Sequence, residues 1–340
     1  MNLLENSSNA SSSAFGWQFQ VNAGIFLMLE NIKNAIRLKI EGESEDIEIR
    51  LDDESIILAQ AKSFVDPEDS CVSAKLRKGL KTLKAASNKH KNSKKLIYIS
   101  NAIRPITARG NAHRFCDFSY IRYKDLYKNE KNIVDKYIKE HGYEQEEIDK
   151  IYFYGLPYHG EESPTRHKEM YLAIRQFTDG IQGLDVKHQR ILEKLQVICN
   201  YNTTERSANI SKADFVWPLI VLTLEFGTMD SENLEKDDCD AASIRRIETV
   251  YNDLITTMSE KFSFATKVIC DYITRYNGRF SSSDQKDFIE NCWMNYSQHL
   301  SVESIAEDEY EYEMLIKLII KRIVHTRNVI SSIKTKSNLI

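Results

Sequence analysis

The sequence predicts an α/β core followed by an all-α region, and three observations carry this. Two runs with a period of two, Ile47–Leu51 and Ile56–Lys62, read as the arms of a hairpin, with the polar Asp52-Asp53-Glu54-Ser55 as its turn. Two apolar runs, Lys95–Ser100 and Lys150–Pro157, read as buried strands set between helical segments, the pattern of a mixed sheet flanked by helices. From about residue 161 onward strand signals fade and amphipathic helical stripes take over. At 340 residues the default is two domains, drawn here at 1–160 and 161–340.

The leader, residues 1–13, is polar and is expected to be disordered. It lacks a basic stretch followed by a long apolar core, so it does not read as a signal peptide. Residues 14–36 read as one helix, with Phe19, Ala23, Phe26 and Glu30 on a single sheet-facing stripe. A carboxylate on such a stripe needs a partner or a metal; otherwise Glu30 lies at the stripe's edge and meets water, Lys33 or Asn34. Tyr120–His141 reads as a helix closed near Gly142. Beyond it, Ser211 and Asp214 form a capping signal for a helix to Leu224, which Pro218 either delays or kinks. Met229–Asp240 reads as a loop. Three further helices follow: a long one through Ile244–Phe262, one opened by Ser282 with Gln285, and a last one over Ile305–Ile333. These stripes read as core, and the region shows no catalytic constellation. Its expected work is oligomerisation, partner binding or regulation.

Chemistry concentrates in the hairpin. Alternation puts Asp46 and Glu48 on one face of the first arm, and Gln60 and Lys62 together on one face of the second. If those faces coincide, two carboxylates, an amide oxygen and an ammonium converge. Mg²⁺ prefers oxygen ligands and keeps several waters, so one or two carboxylates and a carbonyl suffice. The metal would polarise a phosphate and lower the pKa of a bound water, and a lysine would orient that water or stabilise developing charge. A solvated acidic hairpin ending in lysine is the bland reading of the same residues.

The segment Lys75–Lys95 holds nine Lys or Arg and no acid, in a chain of net charge −4. Such a concentration suits a polyanion. Lys75, Lys78, Lys81, Lys84 and Lys91 are the candidate DNA contacts, against the alternative of an ordinary solvated basic helix.

With these residues in view, residues 1–160 resemble the PD-(D/E)xK nuclease superfamily in its Gln-x-Lys variant. They look closest to the double-stranded-DNA nuclease domains of bacterial antiphage effectors, including those fused to cyclic-oligonucleotide sensors. The resemblance rests on Phe15-Gly16-Trp17-Gln18-Phe19-Gln20, the helix with Glu30, Glu45-Asp46-Ile47-Glu48, and Gln60-Ala61-Lys62. It departs from the family pattern in reading EDIEI for EDIDI. It implies a restriction-endonuclease-like fold and a Mg²⁺ (or Mn²⁺) site. Asp46, Gln60 and Lys62 would be its metal or catalytic residues, with Glu30 in support, Glu48 competing with Asp46 as metal ligand, and Gln18 or Gln20 as helper. Phe264–Leu300 resembles the C-terminal domain of effector subunits in ABC-three-component (Lamassu-type) antiphage systems, which implies an SMC-like ATPase and a small third subunit as partners. No match to a cyclic-oligonucleotide-sensing domain is evident.

Composition sets further bounds. The cysteines at 71, 116, 199, 239, 270 and 292 form no C-x-x-C pair, which argues for reduced thiols in a cytosol rather than disulfides or zinc. The longest apolar run, Phe215–Phe226, contains Pro218 and Glu225 and is too short to span a membrane. No glycine-rich phosphate loop is present. Together with the resemblance, the expected activity is a metal-dependent DNA endonuclease of low sequence specificity in bacterial defence, self-associating through its helical region. The open alternatives are a restriction-type, site-selective nuclease, and a non-catalytic DNA-binding or scaffold protein on a nuclease fold.

Overall fold

The computed structural model describes residues 5–42, 45–68, 72–107, 115, 118–203, 209–225, 230–232, 234, 239–257, 261–278, 280–300 and 306–339. The chain is α/β, with two compact units: Met1–Asp179 with His188–Phe215, and Gly180–Lys187 with Val216–Ile340.

The first unit is built on a seven-stranded mixed sheet: β1 (Ala35–Ile40), β2 (Ile47–Leu51), β3 (Ile56–Lys62), β4 (Ser93–Ser100), β5 (Ser119–Arg122), β6 (Ile151–Gly155) and β7 (Ile210–Ser211). The spatial order is β5-β6-β4-β3-β2-β1-β7. β3, β4 and β6 run parallel at the centre, and the remaining pairs are antiparallel. The central strands are apolar on both sides, as expected where both faces are covered. On one face Leu58, Leu96, Tyr98, Ile151 and Phe153 join a core closed by α2 (Val72–Lys89) and α3 (Lys128–His141). The opposite face carries Ile57, Ala59, Ala61, Ile97 and Ile99, and α1 (Glu5–Glu30) packs along β1, β2 and β3.

Several expectations are corrected here. α1 begins at Glu5, so the polar leader is helical from that residue, not disordered as its composition suggests. It ends at Glu30 rather than near Ile36: the turn at Asn31–Asn34 releases AIRLKI, which pairs antiparallel with Ile47–Leu51 as β1. The segment read as a helix from Tyr120 opens instead as strand β5, and α3 starts only at Lys128. Gly142 closes α3 in the left-handed conformation, φ 67°, which glycine adopts without penalty.

α4 (Gln145–Ile148) leads into β6, and α5 (Ser163–Arg166), α6 (Lys168–Thr178), α7 (His188–Thr203) and α8 (Lys212–Leu224) follow it. α6 and α7 pack on α1, and β7 pairs with β1. The first unit therefore reaches Phe215 and takes in much of what the 160/161 boundary assigns to the second domain. Ser211 caps α8 through Asp214 as expected, and the helix continues across Pro218.

The second unit holds α9 (Ala241–Thr257), α10 (Lys261–Tyr276), α11 (Ser282–Cys292), α12 (Glu309–His325) and α13 (Arg327–Ser337). Its core gathers on α12, where Leu315, Ile316, Ile319, Ile320 and Ile323 are fully buried against α9, α10 and α11. The N-cap of α11 is Ser281, which accepts from Asp284 N–H at 3.1 Å, rather than Ser282. The last helix is divided at Thr326. Within Met229–Asp240, read from the sequence as a loop, residues 230–232 and 234 are helical, and residues 229, 233 and 235–238 lie outside the described residues. Cys199, Cys239, Cys270 and Cys292 are free thiols, and Cys71 and Cys116 lie outside the described residues. Among those residues no helix is long and apolar enough to cross a membrane.

Candidate active site

The β2–β3 hairpin sets the geometry. Its turn is fixed by Leu51 N–H donating to Ser55 O at 2.9 Å, and by Asp53, which accepts from Ser55 and from Lys94. Residues 48 and 58 are thereby placed opposite one another. Two residues further on, the same register sets Asp46 against Gln60. Cross-strand partners project to the same side, so Asp46, Glu48, Gln60 and Lys62 share the face covered by α2.

Asp46 is the hub. Its Oδ2 accepts from the Gln60 amide, from Ala61 N–H at 3.0 Å and from Lys62 Nζ at 3.3 Å. Lys62 also donates to Ala61 O at 3.0 Å. Gln20, from α1, donates to the Asp46 carbonyl at 3.1 Å and ties the helix to the acid. Gln60 is buried beneath α2 at Gly79, where an added Cβ would stand 3.4 Å from the Gln60 side chain and 2.8 Å from the Tyr98 ring. Immediately after Lys62, buried Asn101 clamps the chain: it accepts from Phe64 N–H at 2.7 Å and donates to Phe64 O and Tyr158 O.

The residue that sequence reasoning misses is Glu45. It stands beside Asp46 in the chain, and nothing in a run of acids marks which one is buried. It is 4% exposed, and among the described residues neither of its carboxylate oxygens has a well-formed hydrogen bond. Burial first, and the Asp46 charge second, push its pKa up to about 8, with the Lys62 charge offsetting only part of this. Glu48 lies one pair further along the hairpin, with its carboxylate against Gly42.

Glu30 does not join this set. It ends α1 ten residues beyond Gln20, about 15 Å along the helix, and lines a cavity with Lys95, Tyr152 and Tyr154 on the opposite face of the sheet. A helical stripe fixes the face a residue shares, not the end of the sheet it reaches. Burial of the carboxyl raises the Glu30 pKa although the residue as a whole is exposed; the Lys95 charge and the Tyr154 hydroxyl oppose that rise. Of the two candidate helper glutamines, Gln20 reaches the site, whereas Gln18 is exposed and lines another cavity.

The basic segment divides. Lys78, Lys81 and Lys91 are exposed. Lys75 is half-buried beside the site, donating to Ser63 O at 2.6 Å with its ammonium 3.8 Å from the Phe64 ring centroid. Lys84 is corrected from DNA contact to structural ion pair: it is bound to Glu147, with both side chains largely buried, and Ser87 donates to the same carboxylate at 2.7 Å.

Among the described residues no three His, Cys, Asp or Glu side chains form a closed metal cage. Hydrated Mg²⁺ does not require one. Asp46, the Gln60 amide oxygen once that amide is turned, and the buried Glu45 carboxylate are hard oxygen donors at one corner of the sheet. A cation held there would offset the burial of Glu45, and oxygen donors of this kind are the type Mg²⁺ takes.

No protein-family model matches the chain, and no curated protein or solved structure is significantly similar to it.

Proposed function

We propose that this chain is a Mg²⁺-dependent DNA endonuclease whose centre is Asp46, Gln60 and Lys62. The observation that carries the reading is the convergence of Gln60, Ala61 N–H and Lys62 on one Asp46 oxygen. A carboxylate, an amide and an ammonium fixed by strand register have the composition that phosphodiester hydrolysis needs. When bound, the metal would supply Lewis-acid activation of the phosphate and of a water. The chain's own residues divide the rest. Asp46, and Gln60 once its amide is turned so that the oxygen rather than the NH2 faces the acid, would hold the cation. Lys62, held by Asp46 and Ala61 O, places a positive charge where charge develops on the phosphate oxygens. Gln20 and the Asn101 clamp fix the acid and the lysine in position, which is worth rate because a misplacement of about 1 Å is costly.

Exposed Lys78 and Lys81, three apart on α2, supply sequence-independent attraction for the duplex backbone. The second unit, with its amphipathic helices, serves self-association or a partner subunit, and so restrains an activity dangerous to its own cell. The resemblance of Phe264–Leu300 to three-component antiphage effectors supports a role in bacterial defence, with an SMC-like ATPase as the restraining partner.

The test is purified protein on supercoiled plasmid with Mg²⁺, Mn²⁺ or EDTA. Nicked and linear products with either metal and none in EDTA are the expected result. Binding of duplex DNA without cleavage in any metal would replace this reading with that of a non-catalytic DNA-binding protein.

A further inference from the structure

Glu30, displaced from the candidate active site, belongs to a cavity of about 510 Å³ on the other face of the sheet. Its walls combine features that seldom occur together. Tyr120 and Tyr154, cross-strand partners on β5 and β6, are stacked with ring centroids 5.3 Å apart and planes 23° apart. Tyr152 lies 6.5 Å from Tyr120. Beside the rings stand the Glu30 carboxylate and the Lys95 ammonium, the latter 5.5 Å from the Tyr152 ring centroid. Glu30 and Lys95 are of opposite charge and line one cavity. Arg122, paired with Asp125 at 2.9 Å, adds a second cation at the wall, and Asp125 a second carboxylate.

This is an amphoteric, ring-lined pocket of ligand size. A ligand that satisfies it must be flat, must offer N–H donors to a carboxylate, and must carry negative charge toward Lys95 and Arg122. An ionised carboxylate accepts two parallel N–H bonds. Among the nucleobases, guanine presents two adjacent donors, N1–H and N2–H, on one edge. Adenine and cytosine present one exocyclic amine beside an acceptor, and that acceptor would face the carboxylate lone pairs. Tyr120 is 55% exposed, so its ring is open to stacking by a base.

We propose that this cavity is a guanine-nucleotide site, with Tyr120 stacking the base, Glu30 reading its N1–H and N2–H edge, and Lys95 and Arg122 facing the phosphate. The same chemistry is offered by a free guanine nucleotide and by a guanine in a single strand. The proposal stands apart from the nuclease reading, because it uses the opposite face of the sheet and none of Asp46, Gln60 or Lys62.

The test is equilibrium binding to the full chain in EDTA, so that no cleavage interferes. The probes are GMP, AMP, CMP, and two short single-stranded oligonucleotides, one with and one without guanine. GMP is expected to bind saturably and at least about ten-fold more tightly than AMP or CMP, as the loss of hydrogen bonds to a charged group implies. Glu30→Gln, a near-isosteric change, should abolish that preference while leaving CMP binding within about two-fold. Tyr120→Ala, at an exposed position, should weaken every probe, and Lys62→Ala should leave the GMP-over-AMP preference as it is. Thermal melts identify any variant that has lost its fold, and the remaining variants then decide. Tighter binding of the guanine oligonucleotide than of GMP assigns the site to single strands; the reverse assigns it to free nucleotides. Absence of saturable binding by every probe, AMP binding as tight as GMP, or GMP binding unchanged in both Glu30→Gln and Tyr120→Ala would overturn the proposal.

Discussion

Asp46 and Lys62 meet at 3.3 Å across the β2–β3 hairpin although sixteen positions separate them in the chain. The contact follows from strand register: once residues 48 and 58 are opposite one another, 46 and 60 come together, and Lys62 lies just beyond. A slip of one residue would send the whole set to the other face. The turn residues that prevent that slip, Asp53 and Ser55 with Lys94, are therefore part of what makes the site.

Glu45 predicts a pH dependence of stability. In the folded chain its pKa is pushed up to about 8 by burial, whereas the unfolded chain has the ordinary glutamate value of about 4.3. Between those limits the folded state keeps a proton that the unfolded state has released. The stabilisation is fully present below the lower limit and is lost as pH rises through the upper one. In EDTA, the melting temperature of the wild type should fall more between about pH 6 and about pH 9 than that of Glu45→Gln, by on the order of a few degrees. Parallel curves would show that Glu45 is not held neutral by the fold.

Gly79 predicts an inverted substitution effect. In an open helix, glycine to alanine stabilises by about 1 kcal/mol. Here the new methyl would stand 2.8 Å from the Tyr98 ring, and that ring is fully buried and has no space to yield. Gly79→Ala should cost about 1–3 kcal/mol by overpacking and should slow cleavage by displacing Gln60. Urea denaturation and plasmid assays read the two effects; a stabilised, fully active variant would contradict the packing described.

Much of the fold and of the site is legible in the sequence, and the failures have physical causes. Period-two patterning and a polar turn place Asp46, Glu48, Gln60 and Lys62 on one face, because a hairpin is a local structure. β1 is hidden because AIRLKI follows the apolar stripe of α1 without a strong breaker. Glu30 reads as a neighbour of Asp46, at the wrong end of the sheet, because helical periodicity carries no information on position along a strand. Lys84 looks like a free cation because its partner Glu147 lies 63 positions away, beyond any local pattern. β7, two residues long, carries too little pattern to read at all.

The basic helix predicts a separation of effects. Lys78→Gln with Lys81→Gln should weaken duplex binding and reduce the salt slope by about 0.9 for each phosphate no longer neutralised, with stability changed by less than about 0.5 kcal/mol. Lys84→Ala should do the reverse. Breaking its largely buried pair with Glu147 should cost about 3 kcal/mol and leave the salt slope as it was. Filter binding across a salt series, with chemical denaturation, distinguishes them.

If the proposed self-association lies in the second unit, the informative truncation ends at residue 215 and spares α6, α7 and β7. Sedimentation should find the full chain in a closed symmetric oligomer, the default for such assemblies, and residues 1–215 monomeric. Nicked plasmid should then accumulate over linear product. A truncated chain that keeps the full chain's oligomeric state would move the interface into the first unit.

The central claim is that Lys62 acts in the chemistry and does not merely balance Asp46. The measurement that tests it most directly is the plasmid cleavage rate of Lys62→Ala beside the wild type in Mg²⁺, with duplex affinity measured on the same samples. Loss of a group that stabilises the transition state should lower the rate by about 10²-fold or more and leave DNA affinity nearly unchanged. A Lys62→Ala protein that cuts at the wild-type rate would contradict the account.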